Sequence, residues 1–354
     1  MKIAHVHFYT RDAASTKNWF VRNVGLNAIG SSNNKHTYTE IIALNSSCIV
    51  ISSPLTTSSP VSRYLDLHPS GVADIAFEVE DIRLIIDRAK CFGLKILQPL
   101  EIVCTSQGRF RYAKIQGWND LQHTLIEGIG NQNSRYLPNL EIKSNSTIEN
   151  FNSHITDIDH IVLNVASGQL NRAVELYQKL FGLKIQQSFD IQTATSGLYS
   201  QALIDDRARV QFNINEPTSG NSQIQEFINL NQGSGVQHLA LRSQDLIADV
   251  ERMLRHKVKF LNIPQTYYDR QLYKLTNLSK TEWQAIVQEQ ILVDCDRTNS
   301  PALLMQIFTQ PIFEQPTFFL EFIERRQQAK GFGQGNFQAL FAAVEREQAR
   351  IKDR

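Results

Sequence analysis

With 354 residues, 42% of them hydrophobic and 20% charged, the chain has the composition of a soluble globular protein with room for two full cores. A formal net charge of +1 gives it no bulk attraction to nucleic acid or to a membrane surface. No apolar run approaches a membrane span, the N-terminus has no signal-peptide core, and the four cysteines lack CxxC spacing; together these predict a cytoplasmic protein with reduced, half-buried thiols.

Ile3-Ala4-His5-Val6-His7-Phe8 reads as the first strand. A helix over 14–24 follows, with Trp19, Phe20 and Val24 apolar, and Gly25 is placed to cap it. Short strands are expected within 40–52 and over 110–115. Between them, Gly71 to Phe77 reads as a strand, and Asp81 opens a helix that runs to Phe92. Gln122 to Glu127 closes this half. Residues 129–156 are polar and aperiodic, which predicts a linker and a solvent-exposed His154.

The second half repeats this layout at a spacing of domain size. Ile158 to Leu163 is the strand; Leu170, Val174, Tyr177 and Phe181 form the helix stripe; Gly182 ends it. Gly235 to Leu241 matches Gly71 to Phe77, and Phe319 to Glu324 matches Gln122 to Glu127. The expected domains are 1–130 and 157–354, joined by a linker over 131–156. Strand, helix and strands occur twice per half, which predicts an α+β fold with each sheet curled around a site.

The halves differ where chemistry would sit. His160 aligns with His5, His238 with Asp74, and Glu321 with Thr124. A lone His on a strand is usually a core residue, and that is the reading for His5. A Glu inside the aromatic run Phe318-Phe319-Leu320-Glu321-Phe322 is costly unless a cation meets it. Two imidazoles and one carboxylate are the donor set of a non-haem Fe(II) centre. One metal site is therefore expected, in the second half, with the first half structural or dimer-forming.

Residues 265–290 have no counterpart in the first half. They predict an inserted helix over 275–290, with Trp283, Ile286 and Val287 on one face. The run from Gly331 to Phe341 is a glycine-rich turn that feeds a terminal amphipathic helix, placed to act as a lid with Gly333 and Gly335 as flexible points.

Three stretches carry a family resemblance: Gly235-Val236-Gln237-His238-Leu239-Ala240-Leu241; Gln306 to Pro311 followed by Pro316 to Glu321; and Gly331 to Phe341. Over residues 155–350 the chain resembles the 4-hydroxyphenylpyruvate dioxygenases of the vicinal oxygen chelate superfamily. The resemblance implies two tandem vicinal-oxygen-chelate domains of paired βαβββ units, each an open barrel, with Fe(II) in the C-terminal one. It implies His160, His238 and Glu321 as ligands. Gln237, Gln306, Asn215 and Phe337 would then serve catalysis, and Ser200, Gln223, Phe308, Phe319 and Asn336 would bind substrate. The implied reaction turns 4-hydroxyphenylpyruvate and O2 into homogentisate and CO2. Neither nucleic acid nor membrane is expected as a partner, and a homo-oligomer, dimer or tetramer, is expected. Asn213 departs from the family pattern, which usually has proline there. It is expected to loosen the wall through its neighbour Asn215, and it leaves open benzylic hydroxylation by a 4-hydroxymandelate synthase-type enzyme. An extradiol dioxygenase and a metal-free binding protein of the same fold are further alternatives.

Overall fold

The computed structural model describes residues 1–105, 108–129, 143–144, 153–192, 196–271, 278–295, 302–337, 339–340 and 342–343. The N-terminal strands are β1 (Lys2–Tyr9), β2 (Asn27–Asn33), β3 (Thr37–Ala43), β4 (Cys48–Pro54), β5 (Gly71–Glu78), β6 (Ile96–Thr105), β7 (Gly108–Gln116), β8 (Gln122–Ile129) and β9 (Lys143–Ser144). The C-terminal strands are β10 (Ile155–Asn164), β11 (Lys184–Gln192), β12 (Gly197–Ile204), β13 (Gln211–Pro217), β14 (Gly235–Ser243), β15 (Leu292–Cys295), β16 (Leu303–Phe308) and β17 (Phe319–Arg326).

The duplication extends to topology. The sheet orders are β6-β7-β8-β5-β1-β4-β3-β2-β9 and, written from the equivalent edge, β15-β16-β17-β14-β10-β13-β12-β11. Apart from β9 the two are the same permutation. Each central strand pairs parallel on one side and antiparallel on the other: β1 with β4 and β5, β10 with β13 and β14. Register irregularities fall at equivalent places, between Ile3 and His5 and between Ile158 and His160. A bulge turns the side chains beyond it toward a chosen face, so both halves aim the same positions inward.

Local chemistry explains the repeated helices. Asp81 and Asp245 cap them by accepting from the amides of Leu84 and Ala248. Gly25 and Gly182 close the first helix of each half at φ 78° and 73°, a left-handed turn that a side chain disfavours. The first of these helices is α-helical only over Ala13–Trp19 and widens to a π-turn over Phe20–Val24.

One apolar core runs through both halves. Phe8 meets Phe318 edge-on at 5.0 Å, and the buried His123 lies 3.1 Å from the Tyr177 hydroxyl. Several expectations shift. The linker contributes β9, which pairs with Gly30 and Ser31 at the edge of the N-terminal sheet. The insertion forms two short helices, Gln265–Gln271 and Lys280–Gln288, rather than one; residues 272–277 between them, like 130–142, lie outside the described set. His154 is half-buried, its amide donating to Asp249. Of the cysteines, Cys48 is buried, while Cys91 and Cys104 are exposed. Among the described residues no helix is long and apolar enough to cross a membrane.

Candidate metal centre and substrate cavity

Three central strands of the C-terminal sheet bring the expected ligands together. His160 lies on β10, His238 on the neighbouring β14, and Glu321 on β17 beyond it. The register sets His160 opposite Ala240, and Ala240 opposite Glu321. The small Ala240 leaves the space between the other two open. All three residues are buried, and their donor atoms lie within 4.8 Å of one another. Glu321 Oε2 is 3.1 Å from His160 Nε2 and 3.4 Å from His238 Nε2.

Electrostatics follow from that geometry. Burial acts against charge on Glu321, but the two imidazoles outweigh it and hold the carboxyl down to about 2. Burial likewise opposes protonation of His160; Glu321 and Asp159 overcome it and push the imidazole up to about 9. His238 is lowered by burial. In this arrangement a proton on His160 neutralises a buried carboxylate, the task a divalent cation would take over. Two imidazoles and a carboxylate facing a cavity are a donor set that would fit ferrous iron.

Behind the ligands lies a network that the sequence did not reveal. Asp159 Oδ1 is 3.0 Å from His160 Nδ1. Arg325 grips both Asp159 oxygens, Nε on Oδ2 at 2.8 Å and Nη2 on Oδ1 at 2.7 Å. Arg242 donates to Oδ2 as well. Arg325 Nη1 also donates to the carbonyls of Ala329 and Gly331, at the turn before the lid. The only signal for this network was a charged residue close in sequence to each candidate ligand: Asp159 beside His160, Arg242 after His238 and Arg325 after Glu321. A carboxylate behind a ligating histidine fixes its tautomer, and losing it typically weakens metal binding by about ten- to a hundredfold. Asp159→Asn should therefore weaken iron binding by about that factor in a metal titration. An unchanged affinity would show that Arg325 and Arg242 hold only the fold.

Most of the expected pocket residues converge; Gln306 and Asn336 are instead engaged by the protein, and Asn336, expected to bind substrate, does not line the cavity. Ser200, Asn215, Gln223, Gln237, Phe308, Phe319 and Phe337 all line the triad's cavity, joined by Val162, Ile191, Leu198, Phe332 and Leu340. Phe319 stacks on His238 at 4.7 Å, and Phe332 meets His160 edge-on at 5.4 Å. Gln306, however, is engaged by the protein. Its Nε2 donates to Glu321 Oε1 at 2.9 Å and to the Phe332 carbonyl, and its Oε1 accepts from Asn336 Nδ2. Asn336 Oδ1 in turn accepts from the Tyr267 hydroxyl at 2.6 Å. Gln306 and Asn336 thus tie Glu321 to the glycine-rich turn and to the insertion. Asn213 lines the cavity directly, with a buried Oδ1 that has no partner, so it acts on the pocket itself and not only through Asn215.

The lid glycines also differ from expectation. Gly333 sits at φ 72°, and a Cβ there would overlap Gln306 Oε1, so glycine is required by a close approach as well as by the turn. The Gly335 amide donates to Asp294. Described residues 334–337, 339–340 and 342–343 are helical, and Phe337 packs edge-on against Phe189 at 4.7 Å. The cavity beneath measures only about 60 Å³. That is well below the roughly 300–1,000 Å³ of small-molecule sites.

Paired sheets of this topology around a His-His-Glu cluster define a protein of the vicinal oxygen chelate kind with a candidate metal centre, and residues 157–282 match the Glyoxalase/Bleomycin resistance protein/Dioxygenase superfamily. Over 98% of its length the chain is 31% identical to 4-hydroxyphenylpyruvate dioxygenase of Yarrowia lipolytica, covering 92% of that protein. The chain belongs to the 4-hydroxyphenylpyruvate dioxygenase family. It is also 34% identical to an uncharacterized protein of Synechocystis sp., with 98% of this chain and 97% of the relative covered. Among solved structures, a mutant of 4-hydroxymandelate synthase from Streptomyces coelicolor superposes with a TM-score of 0.87 at 25% identity, covering 98% of both chains.

Proposed function

We propose that the protein is an Fe(II)-dependent dioxygenase that converts 4-hydroxyphenylpyruvate and O2 to homogentisate and CO2. The observation that carries this reading is a buried His160-His238-Glu321 cluster opening on a cavity walled by phenylalanines and uncharged amides. His160, His238 and Glu321 would hold the iron, which when bound supplies oxygen activation coupled to loss of CO2 from the 2-oxo acid. The chain's own groups position the substrate. Phe308 and Phe337 offer faces for a flat ring. Ser200, Asn215, Gln223 and Gln237 can donate to or accept from a phenol without adding charge beside the metal. The unpartnered Oε1 of the buried Gln223 marks a polar atom in want of such a partner.

The ring carbon that bears the side chain and the benzylic carbon are one bond apart, so the tilt of the ring selects the product. Phe337, fixed against Phe189, would press the ring toward the metal and favour ring hydroxylation with side-chain migration. Asn213 supplies a polar atom on the opposite reading, benzylic hydroxylation, which the likeness to a 4-hydroxymandelate synthase also supports. Chromatography of a reaction of iron-loaded protein with 4-hydroxyphenylpyruvate decides between them: homogentisate is expected, and hydroxymandelate as the main product would overturn the reading. Phe337→Ile should shift the product toward benzylic or aberrant oxidation and slow turnover on the order of a hundredfold, as ångström-scale misplacement does.

A further inference from the structure

The N-terminal sheet encloses a second cavity, of about 660 Å³ against about 60 Å³ at the triad. Its volume suits a small organic molecule. The inward positions are the counterparts of the metal centre. His5 pairs with Ala76 as His160 pairs with Ala240, and Lys114 pairs with Thr124 as Phe308 pairs with Glu321. The donor atoms of His5, His7 and Asp74 lie within 4.8 Å of one another. They could be mistaken for a metal set.

Lys114 argues otherwise. Its Nζ lies 2.9 Å from Asp74 Oδ2, and Thr124 donates to both oxygens of the same carboxylate, its amide to one and its hydroxyl to the other. The carboxylate is already supplied with donors, and an ammonium brings the positive charge that a metal ion would bring. Burial pushes His5 down to about 4 and His7 to about 3, so neither adds a charge near neutral pH.

What the cavity has in excess is donors. An ammonium has three N–H groups, and Asp74 takes one of Lys114's. His5 is 4% exposed, and its Nδ1, a donor in one of the two neutral tautomers, has no partner. Tyr9 and Arg63 line the same space. The nearby hydroxyl acceptors are occupied: Ser52 Oγ joins His7 Nε2 at 2.8 Å and Thr39 Oγ1 at 2.6 Å. The other lining carboxylate, Asp120, is 65% exposed and lies beside His68.

We propose that this cavity binds a small organic carboxylate, whose carboxylate group is received by Lys114 and whose body lies against Tyr9 and Tyr64. Lys114 thereby takes in the N-terminal domain the anion-holding place that a metal takes in the C-terminal one. The inference does not depend on which product the C-terminal site makes.

Calorimetry with 4-hydroxybenzoate as the probe tests it, on the full chain, iron-loaded in every variant that keeps Glu321. Wild type and Glu321→Ala should both bind the probe. Lys114→Met alone would strand a buried Asp74 charge, so Lys114→Met/Asp74→Asn removes the pair together; it should bind about tenfold or more weakly while keeping iron content and turnover. Arg63→Gln, outside the buried pair, should weaken binding by about twofold or more and guards against a folding defect in the double variant. No wild-type binding up to about 10 mM, the weak end for a specific site, would overturn the proposal. So would binding lost in Glu321→Ala, or binding unaltered in both N-terminal variants. A zinc titration of Glu321→Ala that gave one tight ion, abolished by His5→Ala, would replace the proposal with a metal site.

Discussion

Replacing His238 or Glu321 by alanine should lower the iron content from about one ion per chain to near zero and abolish turnover. The loss should exceed the roughly ten- to hundredfold typical of groups behind a ligand, because a donor itself is removed. Geometry supports the severity. Glu321 Oε2 lies between two imidazole nitrogens at 3.1 Å and 3.4 Å, and among the described residues it is the one carboxylate lining the cavity. Asp159 cannot substitute, because both of its oxygens are held by Arg325. His5→Ala is the control. Its ring occupies the equivalent position in the other half, beside a carboxylate already paired with Lys114, so iron and turnover should both persist. Metal analysis of the purified variants checks this. Iron lost in His5→Ala and kept in His238→Ala would reverse the assignment of the halves.

Removing the chain from Gly335 onward should leave an iron-binding protein whose turnover is lower by on the order of a hundredfold or more. None of the three ligands lies in the removed segment. Phe337 and Leu340, which line the cavity, do, as does Asn336, which holds Gln306 on one side and Tyr267 on the other. Without them the cavity opens to water and Gln306 loses one of the partners that fix it beside Glu321. Iron content and single-turnover rate, measured on the same preparation, separate closure from ligation. Full turnover in the truncated chain would show that the segment only packs, and loss of iron would show that the Asn336–Gln306–Glu321 chain is needed to hold the donor set.

The sequence by itself determined the duplication, and with it the fold. Glycine-capped helices after a first strand, and a strand followed by an Asp-capped helix, recur in both halves because local capping and apolar periodicity act over short stretches. It also singled out His160, His238 and Glu321, which the fold brings together. A buried carboxylate in an aromatic strand demands a compensating charge, and Asp74 and Thr124 at the counterparts of His238 and Glu321 single out one half. The tertiary structure decided everything that depends on which distant groups meet. Asp159 reaches Arg325 across 166 residues. Gln306, expected to serve catalysis, braces Glu321, Gly333 is glycine because Gln306 approaches it, and Asn213 opens onto the cavity. Lys114 decides the character of the N-terminal cavity: only when β7 is laid beside β8, and β8 beside β5, does its ammonium meet Asp74. Periodicity tells which face a residue takes, but the partner on that face is set by strand order and register, long-range contacts that local sequence does not encode.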